Sequence, residues 1–260
     1  MASLTNQKDK LSLLRPILER RSIRNFSKRT VSKKEIEIIL EAGQRAPTSC
    51  GIQFYSYIQV NSQRKRKMIL DLVKENKALE TAPLWVFICC DAARPLKMFE
   101  HLQIDSYLGE STKLLHSLID ASLSAQNIVI AAESLGLSSV FTIYHWRALE
   151  QISKLLDLPM NVLPLLLLCI GYPKEKPPLR PRRSGRIIWH KNKYIMPKKE
   201  TILRDYNRAN RALKRMKYFS ENVDELAHHW EKKFTRNEMV LREKNLRSVL
   251  QKHGFLPKNV

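Results

Sequence analysis

The sequence predicts an α+β fold, a sandwich of helices around a central sheet. Three observations carry this. Two continuous apolar runs, Leu84 to Cys90 and Leu163 to Ile170, read as strands buried on both faces. His116 to Leu135 reads as one long helix, apolar on most sides. The helices and strands do not alternate in regular βαβ order, which favours α+β over α/β.

Taken in order, Leu11, Leu14, Ile17 and Leu18 repeat at helical spacing and predict a helix ending before Arg20. Ser32 and Glu35 form a capping box ahead of a stripe of Ile36, Ile39 and Leu40, and Gly43 is expected to stop that helix. A small, turn-prone loop follows from Arg45 to Gln53, suited to offering amides and hydroxyls to a ligand or simply to linking helix and strand. Phe54 to Val60 alternates and predicts a strand; a basic helix covers roughly Ser62 to Asn76. Ala92 to Gly109 reads as helix and loop. The long helix is closed by Gly136, and its scarcity of solvated surface suits a core or a subunit interface. Ser138 to Tyr144 is expected as a strand and Leu149 to Leu156 as a short helix. Gly171 closes the last strand, and Pro173 to Arg186 is expected to be extended. Two or three helices lie beyond Pro197, the last marked by Leu246, Val249, Leu250 and Phe255. We expect residues 1–197 to form the main domain and 198–260 a basic helical extension packed on it.

The chain has 260 residues, enough for a substantial core, and 43% of them are hydrophobic. Its net charge is +21, of which Tyr172 to Val260 carries +15, from 24 basic and 9 acidic residues. Such a surface attracts nucleotides, nucleic acid or acidic lipids. The longest apolar run is too short to cross a bilayer, and the N-terminal MASLTNQKDK has no apolar core for a secretory signal. Cys50, Cys89, Cys90 and Cys169 show no metal-binding spacing, so buried free thiols in a reducing, cytoplasmic setting are expected, with no metal. Cys89 and Cys90 should point to opposite faces of their strand. His190 reads as a structural loop residue, and His228-His229 as solvated.

The densest chemistry lies in Arg20-Arg21-Ser22-Ile23-Arg24-Asn25-Phe26. Three arginines and a serine offer several donors to phosphate oxygens. On its own such a run is more often a solvated basic turn. Arg180, Arg182, Arg183 and Arg186 form a second basic group. No GxGxxG follows the first strand and no GxxxxGK[ST] is present, so neither a Rossmann site nor a P-loop is supported.

Four features together resemble the FMN-dependent nitroreductase family. They are Arg20 to Phe26, Ala46-Pro47-Thr48-Ser49 with Gln53, Ala131 to Leu137, and Arg180-Pro181-Arg182. Ile188-Trp189-His190, Tyr194, Trp230 and the tail Leu250 to Phe255 resemble the larger NADPH-dependent nitroreductase and flavin reductase branch. The resemblance implies a mostly antiparallel sheet flanked by helices, in an intertwined homodimer with non-covalent, tightly held FMN at the subunit interface. It implies that Arg20, Ser22 and Arg24, with Arg21 adjacent, clamp the flavin phosphate. Thr48, Ser49 and Gln53 would lie beside the ring and ribityl chain, Asn76 near the flavin, and Arg180 and Arg182 near the phosphate end. No side chain is implied as a catalytic acid or base, because the cofactor carries the chemistry.

The implied activity is ping-pong hydride transfer from NADPH or NADH through FMN to a nitroaromatic, a quinone or a free flavin. The basic C-terminal third would suit the 2′-phosphate of NADPH. One departure stands out. Where this branch has a glycine pair, the chain has Ile143-Tyr144-His145-Trp146, and the bulk of Tyr144 and His145 is expected to narrow the pocket over the ring. Two alternatives stay open: a same-fold flavoenzyme with another reaction, such as reductive dehalogenation, and a basic nucleic-acid-binding protein. Few interleaved aromatics and no helix-turn-helix, RRM or zinc pattern weigh against the second.

Overall fold

The structure, a computed structural model, describes residues 14–73, 76–219, 223 and 225–257. By contacts the chain divides into two compact units: one runs to Pro177 and resumes at Arg242, and the other is Pro178–Leu241.

The first unit is built on a four-stranded sheet. Its strands are β1 (Tyr55–Gln59), β2 (Leu84–Asp91), β3 (Ser138–Thr142) and β4 (Val162–Gly171). They lie in the order β1-β2-β4-β3, and every pair is antiparallel. All eight residues of β2 are buried, which explains an apolar run without alternation in an antiparallel strand. Leu84, Val86, Ile88 and Cys90 face one core, and Trp85, Phe87 and Cys89 face the other. The two adjacent thiols therefore point to opposite faces, as the strand period requires.

Residues 14–18 are the described part of α1, and the predicted turn at 11–13 lies outside the described residues. On the first face of the sheet pack α2 (Lys33–Gln44) and α6 (Glu110–Ser134). On the second pack α3 (Gln63–Val73), α4 (Lys77–Thr81) and α7 (Leu149–Leu155). This is the α+β sandwich the sequence predicts. The capping box of α2 is present: the Ser32 hydroxyl accepts the Glu35 amide at 3.2 Å, and the Glu35 carboxylate accepts the Ser32 amide at 2.8 Å. Gly43 does not stop α2, which runs one residue further. A Cβ there would stand 2.5 Å from Tyr57 Oη and 2.7 Å from Ile128 Cγ1, so glycine allows α2 to approach α6 and β1. The expected helix from Ser62 to Asn76 ends at Val73, and Asn76 instead caps α4.

Helix α5 (Ala93–His101) precedes irregular chain, and α6 begins six residues before His116. Gly136, at φ 75°, follows its end. By length and composition α6 alone among the described helices qualifies to cross a membrane. Its inner face carries Ser117, Asp120, Ala121, Ser124, Ala125 and Ile128, all buried. On its outer side Leu115, Ile119 and Leu123 are 59%, 56% and 41% exposed.

The second unit holds α8 (Lys199–Arg215) and α9 (Leu226–Lys233), with a small core of Ala209, Leu213 and Leu226. Helix α10 (Arg236–Lys252) begins in this unit and ends in the first, where Val249 and Phe255 are buried. His229 is half-buried between Tyr218 and Phe219 rather than solvated.

Candidate functional site

Beyond α1 the arginine segment runs as an added edge. Ser22 bridges to Ser139 in parallel, and the Ile23 amide donates to the Ser139 carbonyl at 3.1 Å. Phe26 bridges to Pro173, just past β4. Ile23 and Phe26 are anchored in the second core. Arg20 lines a cleft with Arg15, Glu19, Arg21 and Glu133, and Ser22 and Arg24 flank the buried Ile23. The Glu175 carboxylate accepts the amides of Arg24 (2.6 Å) and Asn25 (3.1 Å), which ties this acid to the backbone. Arg24 reaches back to the Ser22 carbonyl at 3.3 Å.

Arg21 lies beside Arg20. One of its terminal nitrogens donates to the Glu19 carbonyl at 2.7 Å, and its buried Nε has no partner among the described residues. It lines a cleft of about 530 Å³ together with Ile23, Glu133, Ser138 and Lys174. Burial pushes the Glu133 carboxyl up to about 7, against the pull of Arg20, the Ser139 amide, the Ser138 hydroxyl and Arg21.

Asn76 joins the same edge. Its Oδ1 accepts the amides of Ala78 (3.1 Å) and Leu79 (3.4 Å), and its Nδ2 donates to Thr142 Oγ1 at 3.5 Å. At the other end of α4 the Thr81 hydroxyl accepts the Phe26 amide at 3.2 Å. Short helix α4 thus ties the arginine segment to the last residue of β3.

The expected strand to Tyr144 ends at Thr142, and Tyr144–Ala148 forms a 3₁₀ turn. The cause lies in β4. Ile88 pairs with Leu166 and Cys89 with Pro164, which leaves Leu165 as a bulge. Strand β3 pairs only with Leu167 to Gly171, so the carbonyls of Pro164 and Leu165 need other donors. His145 Nε2 donates to Pro164 at 2.8 Å, and Trp146 Nε1 to Leu165 at 2.9 Å. His145 is fully buried, edge-on to Phe87. It therefore fills the core and does not narrow a pocket, contrary to the sequence expectation. Burial lowers its pKa to about 4, opposed by the Pro164 carbonyl. The residue that stands out at the strand end is Ile143, 49% exposed.

The loop before β1 is held from beneath. The Thr48 hydroxyl donates to Asp120 at 2.6 Å and accepts the Gln53 amide at 3.0 Å. Asp120, buried on α6, also accepts the Phe54 amide at 3.0 Å. Cys50, Gly51 and Gln53 take φ of 51°, 70° and 59°, the left-handed conformations of a tight reversal. Gln53 Nε2 donates to the Tyr55 hydroxyl at 3.0 Å. Arg94 donates to the carbonyls of Gln53 and Tyr55. Ser49 is exposed, and so is Cys50, unlike the three buried thiols. Asp120 and Arg94 were not singled out from the sequence. An acid in the middle of a largely apolar helix was the available signal for Asp120, since a buried carboxylate requires donors.

One chain does not bring the two groups together. The Thr48–Gln53 loop leads into β1 at one edge of the sheet, and the arginine segment lies on β3 at the other. Three strand spacings separate the edges, about 14 Å. Ser139 is level with Leu84 and Tyr55 with Cys90, which adds on the order of 20 Å along the strands.

Arg180 and Arg182 belong to the second unit. Arg180 lies over the Tyr218 ring, 4.5 Å from its centroid, and Arg182 donates to the Arg180 carbonyl at 3.4 Å. His190, in the following loop, accepts the Ile195 amide at 3.4 Å, a structural role.

Comparison with known proteins places this arrangement. A family model described as the nitroreductase family matches residues 17–172. The oxygen-insensitive NADPH nitroreductase of Salmonella typhimurium is 35% identical over 190 residues, 72% of this chain and 76% of that protein. The FMN reductase (NADPH) of Bacillus subtilis is 30% identical over 218 residues, 80% of this chain and 88% of that protein. Among solved structures, B. megaterium NfrA2 matches with a TM-score of 0.83 at 26% identity, covering 94% of this chain and 97% of that one. With the family model spanning more than half its length, the chain belongs to the nitroreductase family.

Proposed function

We propose that the protein is an NAD(P)H-dependent FMN oxidoreductase working by a ping-pong cycle. The observation that carries this is the donor set on the β3 edge. Arg20, Ser22 and Arg24 lie on a segment that bridges to β3 at Ser22 and is anchored in the core by Ile23 and Phe26. A phosphate dianion fits such a row of fixed donors. We assign Arg20, Ser22 and Arg24, with Arg21 adjacent, to the flavin phosphate, and Asn76 to the flavin edge near Thr142. Arg180 and Arg182 are assigned to the phosphate and ribityl end. When bound, FMN supplies hydride chemistry between NADPH or NADH and a flat acceptor, a nitroaromatic, a quinone or a free flavin.

The chain's own residues bind and orient. Thr48 spends its hydroxyl on Asp120 and Gln53, so it shapes the loop, while Ser49 and the loop amides remain to meet the ring. Because that loop lies far from the arginine segment, we assign it to the site of a second copy. The outward row Leu115, Ile119 and Leu123 supports a homodimer, with FMN held tightly between two chains. In this reading residues 1–197 form the FMN-binding domain, 198–260 are a basic extension, and the protein works in the cytoplasm.

The test is the visible spectrum of the purified protein, repeated anaerobically with NADPH. Flavin bands that bleach are expected. Bands that stay oxidised with either nicotinamide would remove the donor half-reaction. No flavin, even after incubation with FMN, would overturn the assignment of Arg20, Ser22 and Arg24.

A further inference from the structure

The β3 edge that carries the arginine segment is also gripped by one acid, Glu133, in the last turn of α6. Ser139 is the link. Its carbonyl accepts the Ile23 amide at 3.1 Å, and Ser22 bridges to it. Its amide, together with the Ser138 hydroxyl, hydrogen-bonds to the Glu133 carboxylate. The arginine segment thus takes the carbonyl of Ser139, and Glu133 takes its amide. All of these residues belong to the first unit.

Stability alone does not account for an acid at this place. Glu133 Oε1 is buried with no partner among the described residues, and so is Arg21 Nε. With Glu19, these two side chains line both of two clefts, of about 530 and 600 Å³. Burial makes the ionised carboxylate costly, although Arg20 and Arg21 oppose that cost. A buried acceptor without a partner adds to it. An apolar side chain would fill the same place without either penalty, but it could not accept the Ser139 amide.

We propose that Glu133 is a positioning residue for the flavin phosphate: by accepting the Ser139 amide it fixes the edge against which Arg20, Ser22 and Arg24 are laid. This rests on the flavin reading above. In this role Glu133 touches no ligand; it acts through the backbone of Ser139 and Ile23.

Two variants separate the role from bulk packing. Glu133→Ala removes the acceptor, and Glu133→Gln keeps one. Apo-protein is titrated with FMN and with riboflavin, which has the same ring without the phosphate, and flavin fluorescence quenching gives both affinities. Glu133→Ala is expected to weaken FMN by about tenfold, while riboflavin stays within about twofold. Glu133→Gln is expected to hold FMN within about threefold of the unaltered protein. Amide hydrogen exchange over residues 20–26, measured without flavin, should speed up in the alanine variant and not in the glutamine variant. Should Glu133→Ala fail to fold, Ser138→Ala removes one of the two donors that hold the carboxylate and is expected to weaken FMN about threefold with riboflavin unchanged. Equal weakening of FMN and riboflavin, a lower melting temperature with FMN affinity unchanged, or a glutamine variant as weak as the alanine one overturns the proposal. An unaltered protein that binds neither flavin sinks the flavin reading itself, and this inference with it.

Discussion

Replacing His145 by glutamine separates packing from protonation at the β4 bulge. The folded protein keeps His145 neutral down to about pH 4, whereas the unfolded chain takes a proton near 6.5. Between these values the unfolded state binds more protons, so stability falls as pH falls. The full interval corresponds to about 3 kcal/mol, of which about 2 kcal/mol is already lost at pH 5. Glutamine can still donate to the Pro164 carbonyl but does not titrate. At pH 7.5 the variant should be less stable by about 1–2 kcal/mol, from the lost ring contact with Phe87 and poorer packing. By pH 5 the deficit should vanish or reverse. Urea unfolding of both proteins at pH 7.5, 6 and 5 measures this, since every other titration is common to the two and cancels in the difference. A difference that stays constant across this range would show that His145 is not held neutral, and the argument for its burial would fail.

Gly43→Ala should cost about 2 kcal/mol in unfolding free energy, because its Cβ has no room between Tyr57 and Ile128. Glu133→Gln tests the opposite pH sign. Glu133 has a raised folded pKa, so its stability contribution is present below 4.5 and is lost as pH rises towards 7. The variant should therefore gain about 1 kcal/mol at pH 8, allowing for solvent screening of a half-exposed group, and nothing at pH 4.5. Ile119→Glu places a charge in the outward row of α6; sedimentation should show a smaller species that loses its flavin, and a dimer of unchanged affinity would remove α6 from the interface.

Much of the fold was legible because its signals are local. The Ser32–Glu35 box spans four residues, and the runs at β2 and β4 announce two-sided burial by themselves. The arginine segment was equally legible, being contiguous. What was hidden depends on partners far along the chain. Gly43 looked like a helix stop because its true constraint, the nearness of Ile128, is tertiary. The shortened β3 and the inward turn of His145 follow from a one-residue bulge at Leu165, which no pattern in the sequence marks. Asp120 meets Thr48 across 72 positions, and Asp205 meets Arg183 across 22. Apolar periodicity says nothing about either pairing. The long helix was read as apolar on most sides, and its buried side mixes Ile128 and Val129 with Ser117, Asp120 and Ser124, while Leu115, Ile119 and Leu123 stay exposed.

The order of the strands has a genetic consequence. On the two-copy reading, each site takes its arginine half from one chain and its loop half from the other. A chain with Arg24→Ala keeps a sound loop, and a chain with Gln53→Ala keeps a sound arginine segment. When the two associate, one site of the mixed dimer collects both lesions and the other collects neither. Two defective alleles expressed together would therefore restore function that each lacks alone, whereas two alleles altered in the same half would not.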